Sequence, residues 1–247
     1  MTTPAAAPAQ IHRRRQWLRK LFTFWTLIVA VSAIAVGIFA DIGEDVAEQS
    51  TTVFDQAVRA WLIAHRSPIL YQLAYIVTWA GSPIVMVVLA IVAGIWFYQR
   101  HGHRKAGVFV AAPAVGGLFS GLVKHAYGRA RPPGGVLLNE RTYSFPSGHA
   151  LTSAAVMVTL CYVMAREKLI SWPTAVLLGG GVPLLVGLTR LYLDVHWTTD
   201  VVGGWTAGLF IASISAALYE YLRREAPSPA EDAAAEAAEK QQPELSA

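Results

Sequence analysis

Leu21–Ala40 reads LFTFWTLIVAVSAIAVGIFA, twenty residues without one charge. A helix of that length rises about 30 Å, the thickness of a bilayer's hydrocarbon core. An isolated strand would leave its backbone polar groups unsatisfied in lipid, so the segment is expected to span as a helix. Five more runs of this kind follow, at approximately 72–98, 106–123, 149–165, 171–189 and 200–221. Gly81, Ser82 and Pro83 interrupt the first of these, which puts the start of its true span near Pro83. The chain therefore reads as an all-α, polytopic integral membrane protein, a bundle of six transmembrane helices.

Composition agrees. Residues are 54% hydrophobic and 15% charged and the mean hydropathy is +0.42, too apolar for an ordinary soluble domain. The formal charge of +4 is spread over short clusters between apolar runs, with no continuous basic face, so nucleic acid is not an expected partner. The single cysteine, Cys161, lies inside the apolar stretch MVTLCYVMA; no intrachain disulfide is possible and a small core residue is expected.

Residues 1–20 form a basic tail and 222–247 a tail rich in Ala, Glu and Pro, and both are expected to be disordered and cytoplasmic. The six-span domain is expected over 21–221, with an outer amphipathic segment at 41–68 in which Phe54, Val58, Trp61 and Leu62 recur at helical spacing. RRRQWLRK at Arg13–Lys20 has the look of an export signal, but the apolar run after it is too long and IFA before Asp41 is a poor cleavage site, so an uncleaved first span is expected.

Lysine and arginine bias orients the bundle. With six spans, the N-terminal cluster, Arg100, Arg104 and Lys105, Arg166 and Lys168, and Arg223 and Arg224 share one side, expected to be cytoplasmic. Lys124, Arg129, Arg131, Arg141 and Arg190 then fall on the outer side of a cell membrane, where topology has no use for them. A chemical reason for that charge is the better explanation.

Three segments on that side carry the chemistry: Lys124-x6-Arg131-Pro132 at the end of the third span, FPSGHA at Phe145–Ala150, and TRLYLDVHWTTD at Thr189–Asp200. Together they resemble the type 2 phosphatidic acid phosphatase superfamily, whose signature is K-x6-RP, PSGH and SR-x5-H-x3-D. The likeness covers about residues 80–221, and Thr189 stands where the pattern has Ser. A phosphate ester is cleaved mainly by positioning and by countering charge on its equatorial oxygens. Lys124, Arg131 and Arg190 supply that countercharge, the guanidiniums in bidentate fashion. Ser147 is placed to cap the fourth span, with the amides of Gly148 and His149 directed at an anion on the helix N-terminus. His196 and Asp200, four apart, share a face: the carboxylate sets the tautomer and leaves the other ring nitrogen as nucleophile. His149 is then the general acid for the leaving oxygen. The resemblance implies the same roles.

No metal or other cofactor is expected, because three cations beside His149, His196 and Asp200 would oppose a bound dication. Asp194 is a candidate partner for one of the cations and Arg129 a candidate headgroup contact, with peripheral structural charges the first expectation for both, and their roles are not readable from the sequence. A site at headgroup level implies a membrane phospholipid or isoprenoid phosphate substrate, of the phosphatidic acid, phosphatidylglycerol phosphate, lyso or sphingoid phosphate, or polyprenyl pyrophosphate type. The activity expected is lipid phosphate phosphatase, by metal-independent hydrolysis through a phosphohistidine. Alternatives are a lipid phosphotransferase using the same intermediate and a non-enzymic lipid phosphate carrier. Oligomeric state is not readable from the sequence.

Overall fold

The computed structural model describes residues 7–101, 103–134 and 142–224. Eight helices are present there: α1 (Ala7–Ala47), α2 (Thr52–Ala64), α3 (Pro68–Ala80), α4 (Pro83–His101), α5 (His103–Tyr127), α6 (Gly148–Arg166), α7 (Trp172–Tyr192) and α8 (Thr198–Arg224). Six of them, all but α2 and α3, are long and apolar enough to cross a membrane. The break at Gly81–Pro83 separates α3 from α4, and Pro83 opens α4, where its missing N–H costs nothing.

Two expected boundaries are corrected. The first spanning segment runs on to Ala47, because helix does not stop where hydropathy does: Gly43 and Val46 face the bundle while Asp41 and Glu44 point to solvent. The amphipathic segment thereby shrinks to α2 and the start of α3. At the other end α1 is already helical from Ala7, through most of the stretch expected as a disordered tail. Ala, Gln, Arg and Lys propagate a helix readily once the apolar span has nucleated it. Of the C-terminal tail, residues 225–247 lie outside the described residues.

In the centre stands α6, with 61% of its span buried, and α8 follows with 56%, whereas α1 at 6% is peripheral. Small residues allow α6 and α8 to touch: a Cβ on Gly208 would lie 2.4 Å from the Leu151 carbonyl oxygen and 2.7 Å from Ala154 Cβ, and one on Gly204 would lie 2.7 Å from the Ser147 carbonyl oxygen. The second contact fixes the start of α6 against α8, which is where the site forms. α1 docks on α8 with a 2.6 Å hydrogen bond between the Ser32 and Ser213 hydroxyls. Large apolar side chains such as Ile84, Leu118 and Val176 face outward, as expected of a surface solvated by acyl chains.

The bundle end away from the site is closed by charge and aromatics. Glu220, buried, takes both arms of the Arg166 guanidinium, with Nη2 at 2.9 Å, and the Tyr162 hydroxyl at 3.0 Å. Arg100 lies 4.7 Å from the Trp96 ring and Arg224 5.7 Å from the Trp25 ring, cation–aromatic pairs of the kind that sit at a membrane interface.

Candidate active site

At the opposite end the last turns of α5 and α7, the first turns of α6 and α8, and the loops between them converge. Leu193–Trp197 leads α7 back into α8, and α8 begins with Thr198, Thr199 and Asp200. One turn of helical spacing brings the His196 ring to Asp200, with Nδ1 3.3 Å from Oδ2. Both residues are buried, His196 at 4% exposure and Asp200 at 0%.

The imidazole tautomer follows from its neighbours. Arg131 Nη1 lies 3.0 Å from Nε2 of His196. A guanidinium can only donate, so Nε2 accepts and the ring proton sits on Nδ1, directed at Asp200. Burial dominates the ring's acidity; although the hydrogen bond and the charge of Asp200 raise its pKa, burial, with Arg131 and Arg190, takes it down to about 4. At neutral pH the ring is uncharged and its Nε2 lone pair is directed at a cation.

Arg131 is itself held from three sides: Nε donates to the Thr142 carbonyl at 2.7 Å, Nη1 to the Val195 carbonyl at 2.8 Å, and Nη2 to the Thr142 hydroxyl at 3.1 Å. Lys124 Nζ donates to the Tyr143 carbonyl, which Arg131 Nη2 also reaches at 3.4 Å. Lys124 and Arg131 thus share one wall of a cleft of about 570 Å³ that is also lined by Gly121, His125 and Tyr143. Arg190, 1% exposed, comes up from α7 behind His196, its Nη1 donating at 2.9 Å to the Thr78 hydroxyl of α3.

The Pro146–His149 turn is tied to this group through its backbone, since Ser147 N–H donates at 2.9 Å to the Asp200 carbonyl. Ser147 occupies the N-cap position of α6, but its side chain makes no capping bond, which corrects the expected role. Its extended backbone, locked by that bond to Asp200, leaves the hydroxyl buried and without a partner among the described residues. Gly148 and His149, half-buried, supply first-turn amides that by position have no acceptor within the helix.

Lys124, Arg129, Arg131, Arg190, Asp194 and Asp200 lie at this end, Arg141 lies outside the described residues, and two of those placed have neighbours that the sequence did not name. Arg59 of α2 grips Asp194 bidentately, Nε at 2.7 Å and Nη2 at 2.9 Å. Arg129 is not peripheral. Its Nη1 donates to Asp200 Oδ1 and to the Thr199 hydroxyl, each at 2.7 Å, and its Nη2 to Asp55 Oδ2 of α2 at 2.6 Å. Asp200 also accepts the Trp197 amide at 2.8 Å and the Ser144 hydroxyl. Sequence reasoning passed over Asp55, Ser144, Thr199 and Thr78. The one signal was on α2, where Asp55 and Arg59 stand on the same face as Val58 and Leu62; that face turns inward, while Phe54 and Trp61 are exposed.

The fold and the site define a helical integral membrane protein with a histidine–carboxylate pair among arginines at one end of the bundle. Residues 105–224 match the sequence model of the PAP2 superfamily. It is 27% identical over 180 residues to phosphatidylglycerophosphatase B of Bacillus subtilis (strain 168), covering 69% of this chain and 85% of the relative. Over 73 residues it is 38% identical to an undecaprenyl-diphosphatase of Sulfolobus acidocaldarius, covering 30% of this chain and 32% of that one. The crystal structure of a transmembrane PAP2-type phosphatidylglycerolphosphate phosphatase from Bacillus subtilis superposes with a TM-score of 0.73 at 24% identity, over 79% of this chain and 98% of the other, and has the same fold.

Proposed function

We propose that this protein is a membrane lipid phosphatase that passes the phosphoryl group of a phosphomonoester or pyrophosphate first to His196 and then to water. The observation that carries the reading is the Nε2 lone pair of His196, backed by Asp200 across the ring and facing a guanidinium 3.0 Å away, where a phosphoryl oxygen would take that cation. Lys124, Arg131 and Arg190, with the Ser147 hydroxyl and the Gly148 amide, hold the phosphate oxygens. Nε2 attacks phosphorus; the N–P bond forms as the bond to the leaving oxygen breaks, and His149 gives that oxygen a proton. The ring becomes a cation, which Asp200 stabilises through Nδ1–H. Water then attacks phosphorus and the N–P bond breaks, which releases the neutral ring and dihydrogen phosphate, and His149 regains its proton from bulk water.

A phosphatidylglycerol phosphate or a polyprenyl pyrophosphate is the substrate type that the named relatives support. The test is phosphate release by the purified protein from a panel of lipid mono- and pyrophosphates. Turnover is expected to persist in EDTA, since the cations supply the countercharge, and to be blocked by vanadate, which mimics the five-coordinate phosphorus. Release that vanishes in EDTA and returns with Mg²⁺ contradicts the mechanism; no release from any lipid points to a carrier.

We place the site on the outer face and both ends of the chain in the cytoplasm, because Arg100, Arg166, Arg223 and Arg224 gather at the other end of the bundle. In a Cys161→Ala background, Pro133→Cys is expected to react with an impermeant maleimide in intact cells and Arg100→Cys is not. The reverse pattern would invert the orientation.

A further inference from the structure

Asp55 lies on α2, outside the matched family segment, yet it is 1% exposed and reaches the site from behind. Its Oδ1 accepts the Thr199 backbone N–H at 3.1 Å and its Oδ2 the Thr199 hydroxyl at 2.7 Å. Trp197, just before α8, has no side chain able to cap the helix, so a carboxylate from another helix takes that role. The same Oδ2 holds Arg129 Nη2 at 2.6 Å, and the other arm of that guanidinium, also joined to Thr199, holds Asp200 Oδ1 at 2.7 Å. Four side chains thus form one chain, Asp55, Arg129, Asp200 and His196.

We propose that Asp55 is a positioning residue for phosphoryl transfer: it anchors Arg129 and offsets its charge, so that Asp200 keeps one oxygen and most of its negative charge for the Nδ1–H of His196. The inference rests on His196 being the nucleophile. The physical reason is the sharing of one cation between two buried carboxylates. Arg129 held by Asp55 leaves the trio with a net negative charge facing the imidazole. Without Asp55, Asp200 is the one carboxylate left on Arg129, beside the Thr51 and Thr199 hydroxyls, and the cation that develops on the ring in the transfer step loses most of its partner's charge. The other charges near the ring, Arg131, Arg190 and Lys124, are positive and cannot compensate. The loss falls on the transition state and leaves the phosphate cradle intact.

Asp55→Asn separates this role from capping, because the amide oxygen can still accept the Thr199 N–H. In the full-length protein in detergent, with a lipid monophosphate in rapid-quench experiments, Asp55→Asn is expected to slow phosphoenzyme formation by about tenfold or more with KM changed less than about twofold. The ¹⁵N spectrum of His196 should show a weakened Nδ1–H hydrogen bond to Asp200, while Arg131 keeps the proton on Nδ1. Arg129→Gln is expected to be slow as well, and the double variant Asp55→Asn/Arg129→Gln, which gives the trio the same net charge as in the wild type, carried by Asp200, should be no slower than either single variant. Because the double variant and Arg129→Gln give the comparison by themselves, poor folding of Asp55→Asn does not decide the matter. Multiplying effects in the double variant, or a wild-type rate and a wild-type Nδ1–H signal in a folded Asp55→Asn, overturn the proposal. His196→Ala in the same assay separates the two levels: a phosphoenzyme persisting there overturns the nucleophile assignment and this proposal with it, whereas its loss alongside a wild-type Asp55→Asn overturns only the role of Asp55.

Discussion

His196→Ala is expected to remove turnover on every substrate, by about 10⁴-fold or more, while the protein stays folded. Loss of the nucleophile closes the two-step route entirely, and the cations and amides that remain can only bind phosphate. Folding survives because Asp200 is not orphaned. It keeps Arg129 at 2.7 Å, the Trp197 amide at 2.8 Å and the Ser144 hydroxyl, so the truncation creates a cavity without leaving a bare buried charge. Gel filtration and thermal melting establish the fold, and phosphate release at saturating substrate establishes the loss. Activity within tenfold of wild type would remove His196 from the chemistry.

A second large effect depends on the leaving group. His149→Ala is expected to cost roughly 10²–10⁴-fold on a phosphatidic acid type of substrate, since a lipid alkoxide is strongly basic and leaves only when protonated. Nitrophenolate is a far weaker base and needs little help, so nitrophenyl phosphate should be cleaved by the variant at close to the wild-type rate. A lipid monophosphate leaving from a pyrophosphate should fall nearer to nitrophenolate. The comparison is a plot of kcat for both proteins against leaving-group pKa, steeper for the variant. Equal losses across the series would assign His149 to the phosphoryl oxygens and leave the acid unidentified.

The part of the site that recurs at short spacing was open to reading in the sequence. His196 and Asp200 are one helical turn apart, and Lys124, Arg131 and Arg190 stand out because they break the charge bias of a membrane protein at one end of it. The reading of the spans rested on a length that the bilayer itself sets. What escaped was long-range pairing. Arg129 and Asp55 are 74 residues apart and no periodicity connects them. On α2 the aromatic residues invited a reading by hydrophobicity, yet at a bundle surface lipid solvates Phe54 and Trp61, and Asp55 and Arg59 turn to partners inside the protein. Hydropathy also ended the first span at Asp41, where backbone hydrogen bonding carries the helix on to Ala47. Ser147 was read from helix-end statistics, which fit most N-caps, but the bond from its own amide to the Asp200 carbonyl places the hydroxyl elsewhere.

The central claim is that a phosphoryl group resides on Nε2 of His196 during turnover. The most direct measurement is a rapid quench of the wild-type protein at alkaline pH with ³²P-labelled lipid phosphate, followed by digestion and mapping of the labelled peptide. The account predicts an acid-labile, base-stable label on the peptide containing His196, formed and lost at rates consistent with kcat. An acid-stable label, or one on a peptide carrying His149, would contradict it.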